Sequence, residues 1–541
     1  MTGAAREDRA DGFTASPFAS LRFGHFRFLM LLQLGNAIGV WAQVVASQWI
    51  LAADGASATV VSFVPAAMSL PFLVFALPVG VLVSQHPREK LMSWAMGLAA
   101  ASSAIAWWMS ASGDVGRVAL ILCVAVVGFG LVTIGIAWQS LLPETVSREL
   151  VASAAILDGA TFNTARAVGP VMAGVGLSVL GPTWVFALTA ALFAVCAVAM
   201  AYSGVRHPSR VGVREPVVAS IIAGLHFTRY SPWTKRLLFR MVMFGIPSSC
   251  LWALLPLVAR DRLELGSVGF GMLTAMLGIG AIVGTVLVAP LRGRMSVNAF
   301  AMLGTIAYAG VLAGSAGFTQ PWLVGAFMLI GGVAWVGVQS TWMMLAHQAL
   351  PTWVRPRIVA LILLLFQGTQ AVGALLWGAA ADSIGLGPAI FCASGVLIVT
   401  AGGIARRGLY SSVGIEPDLA DVSGDGIEVG NDGAGEAVVE HVYAVTPENL
   451  NEFFDAMRDL RMSRLRTGAT HWQLLADPHS ELKFIELYHL RSRSEFIAQE
   501  TERLTVPELG LRERVGALIV GESSRRVLVS VLSSRKGVGN G

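Results

Sequence analysis

Apolar residues run through this chain in long blocks, and polar residues are confined to the short breaks between them. A helix needs about 20 mainly apolar residues to cross the hydrocarbon of a bilayer. Twelve such blocks occur, at 26–51, 58–83, 91–111, 118–141, 150–179, 182–203, 237–259, 268–290, 297–318, 322–346, 358–381 and 386–405. The longest break, 204–236, separates six from six. Within it "VVASIIAGLHFTRY" has one apolar and one polar face, which predicts a short helix lying on a membrane surface.

Composition agrees with this pattern. Of 541 residues, 55% are hydrophobic and only 13% charged. Ordinary soluble domains carry roughly a quarter of their residues as Asp, Glu, Lys or Arg. Half that share cannot clothe a globular surface of this length, so lipid replaces water around most of the chain. If the amino terminus lies inside, eighteen Lys and Arg residues of the ends and loops fall on that side. Only Arg117, Arg260 and Arg262 fall on the other. That bias predicts a cytoplasmic membrane location with both termini cytoplasmic. Residues 1–25 lack the apolar core of a cleaved signal peptide. Cys123, Cys196, Cys250 and Cys392 sit in apolar blocks without paired spacing and read as small core residues.

The two groups of six are related. Leu142, Pro143, Val146, Val151 and Ala152 match Leu350, Pro351, Val354, Val359 and Ala360 in step. After a four-residue gap, Ala167-Val168-Gly169 matches Ala371-Val372-Gly373, and Gly174 matches Gly378. Parallel repetition of two six-span halves is the plan of the major facilitator transporters. The runs "LRFGHFRFLMLLQLGNAIGVWAQVVASQWIL", "PETVSRELVASAAILDGATFNTARAVGPVMAG", "CLWALLPLVARDRLELGSVGFGML" and "LLFQGTQAVGALLWGAAADSIG" carry a closer likeness. They resemble the enterobactin-exporter-like branch of that superfamily, the transmembrane secretion effectors, from about Leu21 to near the C-terminus. The resemblance implies an all-α polytopic membrane protein with twelve spans in two halves, working by alternating access.

One superfamily signature is altered. After the second span the family usually has Gly, then Asp-Arg, then further basic residues. Here "GVLVSQHPREKL" keeps Gly80, Arg88 and Lys90, but Ser84 and Gln85 stand where the acid pair would be. Either another group replaces the missing gate carboxylate or switching is less strictly gated. The counterpart in the second half, "VLVAPLRGRMS", keeps Arg292 and Arg294, again without an acid.

The fifth span, "DGATFNTARAVGPVMAG", is the most polar. Ionised groups in hydrocarbon are costly and must face the bundle interior, water or a partner. Asn163 and Arg166 share a helical face, and Asp158 lies two turns from Arg166. Gly169-Pro170 can bend the span where neighbours satisfy the freed backbone. The resemblance implies that Arg166, Gly169 and Pro170 belong to a flexing seam between halves; the alternative is a packing pair for Arg166. Asp158 is the candidate proton carrier. In the first span Asn36 and Gln43 lie on one face, and Asn163, Gln367 and Gln370 are further polar positions for a substrate path. Interhelical hydrogen bonding explains these amides as well. Trp41, Trp138, Trp252, Trp335 and Trp377 could stack on an aromatic ligand or mark membrane interfaces.

Seven acids, no Lys or Arg, and many Gly between 410 and 437 predict a flexible tether. Beyond it "VEHVYAVT" alternates as a strand, "PENLNEFFDAMRDLRMSRLRTG" has helical periodicity, and "THWQLLADP" with "ELKFIELYHL" forms a hairpin. A mostly helical stretch and the strand "RRVLVSVL" follow, giving a β-α-β-β-α-β, ferredoxin-like α+β order. It resembles the modules of antibiotic-biosynthesis monooxygenases, which implies homodimerisation through the sheet. His441, His471, His489 and Glu486 offer acid-base groups but no recognisable triad or metal spacing.

The expected parts are therefore 1–25, an amino-terminal segment; 26–203 and 237–405, the halves; 204–236, the joining loop; 406–436, the tether; 437–533, the soluble domain; and 534–541, a tail. The expected activity is secondary export of small amphiphilic, siderophore- or drug-like molecules, coupled to protons. No enzyme activity, cofactor, metal or nucleic-acid partner is expected. No Gly-x4-Gly-Lys-Ser/Thr loop is present to drive it with ATP. Uptake, or a membrane sensor signalling through the soluble domain, are the alternative readings.

Overall fold

A computed structural model describes residues 19–203, 217–408 and 436–529, apart from 481 and 522. It forms two compact units. One takes in Met1–Val217, Arg240–Thr341 and Leu363–Leu409; the other takes in Val218–Phe239, Trp342–Ile362 and Tyr410–Gly541. The amino-terminal stretch to 18, the joining-loop arginines Arg206, Arg210 and Arg214, the tether from 409 to 435 and the end from 530 lie outside the described residues.

Twelve long helices replace the twelve apolar blocks. The first half holds α1 (Gly24–Ala53), α2 (Ala58–Gln85), α3 (Arg88–Ser112), α4 (Arg117–Leu141), α5 (Val151–Val179) and α6 (Pro182–Ala201). A short α7 (Val217–Tyr230) follows, where the surface helix was expected. The second half holds α8 (Pro232–Leu257), α9 (Ser267–Gly293), α10 (Val297–Gly317), α11 (Pro321–Ala349), α12 (Arg355–Ile384) and α13 (Leu386–Arg407). We call the face where α1 starts proximal and the face where it ends distal.

Ten of the twelve are apolar enough to cross a membrane on composition alone; α3 and α5 are not. Both are dilute in apolar residues for a visible reason. α3 opens on Arg88-Glu89-Lys90, and α5 carries Asp158, Asn163 and Arg166. In the bundle α3 lies against α4 and α6 and α5 against α1 and α9, each keeping apolar side chains such as Trp108 and Met172 exposed. Turn chemistry sets the ends. The Ser57 side chain accepts from the Val60 N–H to start α2, and Gly113, at φ 79°, closes α3 in the left-handed region that Gly adopts without strain. α2 stays helical through Pro65, Pro71 and Pro78. Helix breakers are tolerated in a membrane bundle where neighbours satisfy the freed carbonyls.

In the second unit, β1 (Ala437–Ala444), α14 (Leu450–Arg466), β2 (Trp472–Ala476), β3 (Lys483–Leu490), α15 (Arg493–Thr501), α16 (Val506–Leu518) and β4 (Ser524–Val529) follow in order. The sheet is antiparallel throughout in the order β2-β3-β1-β4, with His441 opposite Glu486 and Trp472 opposite Tyr488. This is the order of a ferredoxin-like sheet. One face meets the helices through Tyr443, Phe453, Met457, Leu460 and Phe484. A capping box between Thr505 and Glu508 starts α16.

The same unit fastens this domain to the joining helix and the α11–α12 turn. Tyr230 packs against the cluster of Val439, Tyr488, Leu490 and Phe496. Trp353 has the Arg503 guanidinium 5.1 Å from its ring centre, Arg357 at 5.8 Å, and the Phe227 ring edge-on at 5.6 Å.

Candidate functional site

The halves meet along two pairs of helices, and the sequence repeat marks both. A methyl group on Gly174 of α5 would stand 2.5 Å from the Ser267 carbonyl oxygen and 3.2 Å from Gly271 Cα, both on α9. Its repeat partner, Gly378 of α12, would place one 3.0 Å from the Ala58 carbonyl oxygen and onto the Ser62 hydroxyl, both on α2. Small residues let membrane helices approach this closely. Further along the first seam, a methyl on Gly278 would meet the Ala167 nitrogen at 2.7 Å, and one on Gly271 the Pro170 carbonyl oxygen at 2.5 Å.

Polar contacts join the halves at the distal face. Asp382, in the last turn of α12, accepts from the Ala58 and Thr59 N–H groups at 2.7 and 2.9 Å. A carboxylate there meets the positive end of the α2 dipole. Arg260 donates to the Ala52 carbonyl while pairing with Asp261. The Ser267 hydroxyl donates to the Gly174 carbonyl at 2.9 Å, and Gln48 to the Trp252 carbonyl at 2.9 Å. α5 runs unbroken through Pro170; the space at Gly169 is taken by α1, with Trp41 Cβ and the Ile38 carbonyl under 3.0 Å from where a methyl would stand.

Between these seams sits Arg166, buried at 9% exposure. Its guanidinium lies 5.2 Å from the Trp41 ring, 5.2 Å from Phe162 and 5.6 Å from Trp252. The rings extend further: Trp252 meets Trp335 at 6.0 Å, and Trp335 meets Tyr308 at 5.7 Å, Phe366 at 5.5 Å and Phe244 at 6.0 Å. Five further helices, α1, α8, α10, α11 and α12, thus supply rings to one cluster around an α5 arginine. Arg166 Nε and the indole N–H groups of Trp41, Trp252 and Trp335 are buried without an acceptor among the described residues. Each such donor costs about 1–3 kcal/mol while it stays unpaired.

Asp158 pairs elsewhere. The Trp138 indole donates to its carboxylate at 2.7 Å, within the first half. Gln43 is fully buried, its carbonyl accepting from Ser103 and Thr189 at 3.2 Å each, while its amide nitrogen has no partner among the described residues. Asn36 is buried with Oδ1 unpartnered among the described residues, and Asn163 and Gln367 are half-buried. Gln370 donates to the Gly245 carbonyl at 3.5 Å, and Trp377 to the Ile246 carbonyl at 2.8 Å. Of the five tryptophans singled out, three therefore join the central cluster, and two serve as donors to fixed acceptors.

At the proximal face a carboxylate does reach the gate stretch. Arg88 pairs with Glu144 at 2.5 Å, from the α4–α5 connection. Lys90 is exposed, and Gly80 has no neighbour crowding it. In the second half Arg292 donates to the Ser340 hydroxyl at 2.7 Å, and Arg294 is exposed. Sequence reasoning passed over Glu89, which is 7% exposed in the first turn of α3 with Oε1 unpartnered among the described residues. The signal was there: an acid inside the gate stretch, two residues from Leu91 of the core.

The soluble domain buries a charge network. Arg464 lies 3.0 Å from Glu500 and 3.6 Å from Glu486, with its guanidinium 4.6 Å from the Tyr488 ring centre. Tyr443 and Trp472 each donate to Glu486 at 2.7 Å, and Arg512 and Arg525 also reach Glu500. Burial, then the Arg464 charge, pushes His441 down to about 4, so it is neutral at neutral pH. Burial works against the Glu500 carboxylate, yet Arg464 and Arg512 hold it below the usual range. Both carboxylates of this network are satisfied by other side chains of the domain, which is the arrangement of a structural core. On the opposite face His471 and His489 stand edge to face at 5.7 Å, with Glu436 3.1 Å from His489. Among the described residues no group of three or more His, Cys, Asp or Glu could hold a metal ion.

Comparison with known proteins agrees with this geometry. The profile of the family described as transmembrane secretion effector matches residues 15–537. The multidrug efflux pump Tap of Mycolicibacterium fortuitum is 26% identical over 373 residues, covering 67% of this chain and 90% of that protein. Among solved structures, the nucleoside transporter NupG aligns with TM-score 0.58 at 12% identity, over 72% of this chain and 100% of the other. A bacterial homologue of the human lysosomal transporter Spinster, inward-facing and unoccupied, aligns with TM-score 0.56 at 12% identity, over 70% of this chain and 95% of that one.

Proposed function

This chain belongs to the transmembrane secretion effector family, and on that premise we propose that it exports small amphiphilic molecules, siderophore- or drug-like, by proton-coupled alternating access. It is a multi-pass membrane transporter with the major facilitator fold. Export is the direction favoured by its likeness to a protein described as a multidrug efflux pump. The proximal face is taken as cytoplasmic because Lys and Arg of the loops concentrate there, which puts both termini in the cytoplasm.

The observation that carries the reading is the position of Arg166. It sits where rings from both halves converge, between two seams built on Gly174 and Gly378. Rocking of the halves would part the distal contacts of Asp382 and Arg260, together with the close approaches at Gly174 and Gly378 beside them, and expose the cluster to the other side. Arg166, Gly169 and Pro170 form the flexing part, and Gly80, Arg88 and Lys90, with Glu144 supplying the carboxylate, form the proximal gate. Asn163, Gln367 and Gln370, which are half-buried, line the route beside them, while Asn36 and Gln43 are buried and the Gln43 carbonyl is taken by Ser103 and Thr189. Asp158 carries the proton, held by Trp138. Arg166→Ala should abolish efflux of a fluorescent drug from cells while the protein still inserts; normal efflux would remove Arg166 from the mechanism.

The soluble domain serves as an interaction module, pairing two copies through its outer sheet face. Its packing on Trp353 and Tyr230 gives such pairing a direct hold on the α11–α12 turn and the joining helix.

A further inference from the structure

The donors around Arg166 have no task in the transport cycle as drawn. Arg166 Nε and the indole N–H groups of Trp41, Trp252 and Trp335 come from α5, α1, α8 and α11, hence from both halves. All four are buried without an acceptor among the described residues. The carboxylates that lie on neighbouring helices are engaged: Asp158 by Trp138 and Asp382 by the start of α2. A cage of rings alone would account for the arginine, since a guanidinium is attracted to aromatic faces. That attraction uses the ring faces and leaves the indole N–H groups, at the ring edges, unexplained.

Part of the cluster's ring surface is left uncovered by protein. Phe162 is 38% exposed, and Trp41 and Trp252 are half-buried although their N–H atoms are covered. Flat π faces favour a flat aromatic partner, while a fixed positive charge among rings whose N–H donors lack acceptors favours an oxyanion and repels a cation.

We propose that the molecule bound here is a flat aromatic bearing an anionic oxygen group, a carboxylate or sulfonate, whose oxygens accept from Arg166 and the tryptophan indoles. The proposal rests on the transport reading only in calling that molecule the substrate. The rings of Trp41, Trp252 and Phe162 hold its aromatic part, and Arg166 neutralises its charge away from water.

The test is calorimetric titration of the full-length protein in lipid nanodiscs with 2-naphthoate, with 2-naphthyltrimethylammonium and with neutral 2-methylnaphthalene. Naphthoate should bind saturably and about tenfold or more tighter than the cation. Arg166→Met should weaken naphthoate at least about tenfold, with Arg166→Lys in between. Trp252→Phe and Trp335→Phe keep a ring and remove a donor, so each should weaken naphthoate about three- to tenfold more than it weakens 2-methylnaphthalene. Those two variants decide the matter if Arg166→Met does not insert. Absence of saturable naphthoate binding, equal affinity for anion and cation, or unchanged naphthoate affinity in both Phe variants would each overturn the proposal. Naphthoate that binds as expected yet never crosses the membrane of proteoliposomes would count against the transport reading and leave the binding site standing.

Discussion

Trp138 donates its indole N–H to the Asp158 carboxylate across 2.7 Å, joining the end of α4 to the start of α5. The pair lies twenty residues apart in sequence and wholly within the first half. If Asp158 carries the coupling proton, Asp158→Asn should leave flux in proteoliposomes indifferent to an imposed pH gradient. Trp138→Phe removes a hydrogen bond to a charged group worth about 1.5–3 kcal/mol. It should displace the pH of half-maximal flux while keeping the response. Glu89→Gln is the matched control, since Glu89 is a buried carboxylate of the same half. Loss of the pH response in Glu89→Gln and not in Asp158→Asn would move the proton to Glu89.

The two seams make equivalent demands on Gly174 and Gly378. Adding a methyl at either forces apart helices that touch at the distal side. Overpacking of this kind costs about 1–3 kcal/mol. Gly174→Ala and Gly378→Ala should therefore raise maleimide labelling of a cysteine placed at Ser62 by roughly five- to a hundredfold. Gly310→Ala, where nothing stands within 4 Å, should not. Equal labelling in all three would show that the glycines do not hold the distal side closed.

Arg88 and Glu144 form a pair in which Arg88 is mostly covered and Glu144 is 41% exposed. Exposed pairs contribute about 0–1 kcal/mol to stability, so the fold should tolerate Glu144→Gln. Transport should fall several-fold if the pair gates the proximal face, and the exchange Arg88→Glu with Glu144→Arg should restore part of it. Transport unchanged in Glu144→Gln would leave the gate without a working carboxylate and favour the less strictly gated of the two alternatives.

His441 gives the soluble domain a pH dependence of known sign. Its folded value lies near 4, below the roughly 6.5 of an unfolded histidine. Between those limits the unfolded chain binds the extra proton, so stability is intact above about pH 6.5 and declines as the pH falls towards 4. Hydrogen exchange of the β1 amides in the full-length protein, corrected for intrinsic rates, should show protection falling from pH 7 to pH 5. His441→Phe should flatten that fall. A fall of the same size in the variant would assign it to another group.

Trp353 ties the soluble domain to the rest of its unit. Two cation–π contacts at partly exposed sites are worth about 0.5–2 kcal/mol each. Trp353→Ala should speed exchange in α15 and in residues 224–230, while β1 and β3 keep their protection. Unchanged exchange in α15 would mean that the contact with Arg503 holds nothing.

Much of the architecture was legible because lipid imposes a simple rule. Each of the twelve apolar blocks became a helix with ends within a few residues, and the amphipathic stretch became α7. The soluble domain was legible from its change of period, and its strand order followed. The repeat pairs Gly174 with Gly378, and the structure places both at the seams. The site was harder to read, because its partners are distant in sequence and chosen by packing. Nothing near Arg166 announces Trp252 or Trp335, and Arg166 could have been read as the partner of Asp158, which Trp138 takes instead. Gln43 looked equally fit to face a substrate or a neighbour, and its carbonyl turned to Ser103 and Thr189. The sequence shows no sign of the pairing of Glu144 with Arg88, because it depends on how the α4–α5 connection folds back.

Coupled transport is tested most directly by uphill movement. Purified protein in sealed proteoliposomes, given equal substrate inside and out, should accumulate it on one side when a pH gradient is imposed and lose that ability on collapse of the gradient with an ionophore. Arg166→Ala and Asp158→Asn proteins of normal insertion should not accumulate it. Substrate that stays at equal concentration with the gradient in place, while binding remains intact, would contradict the account.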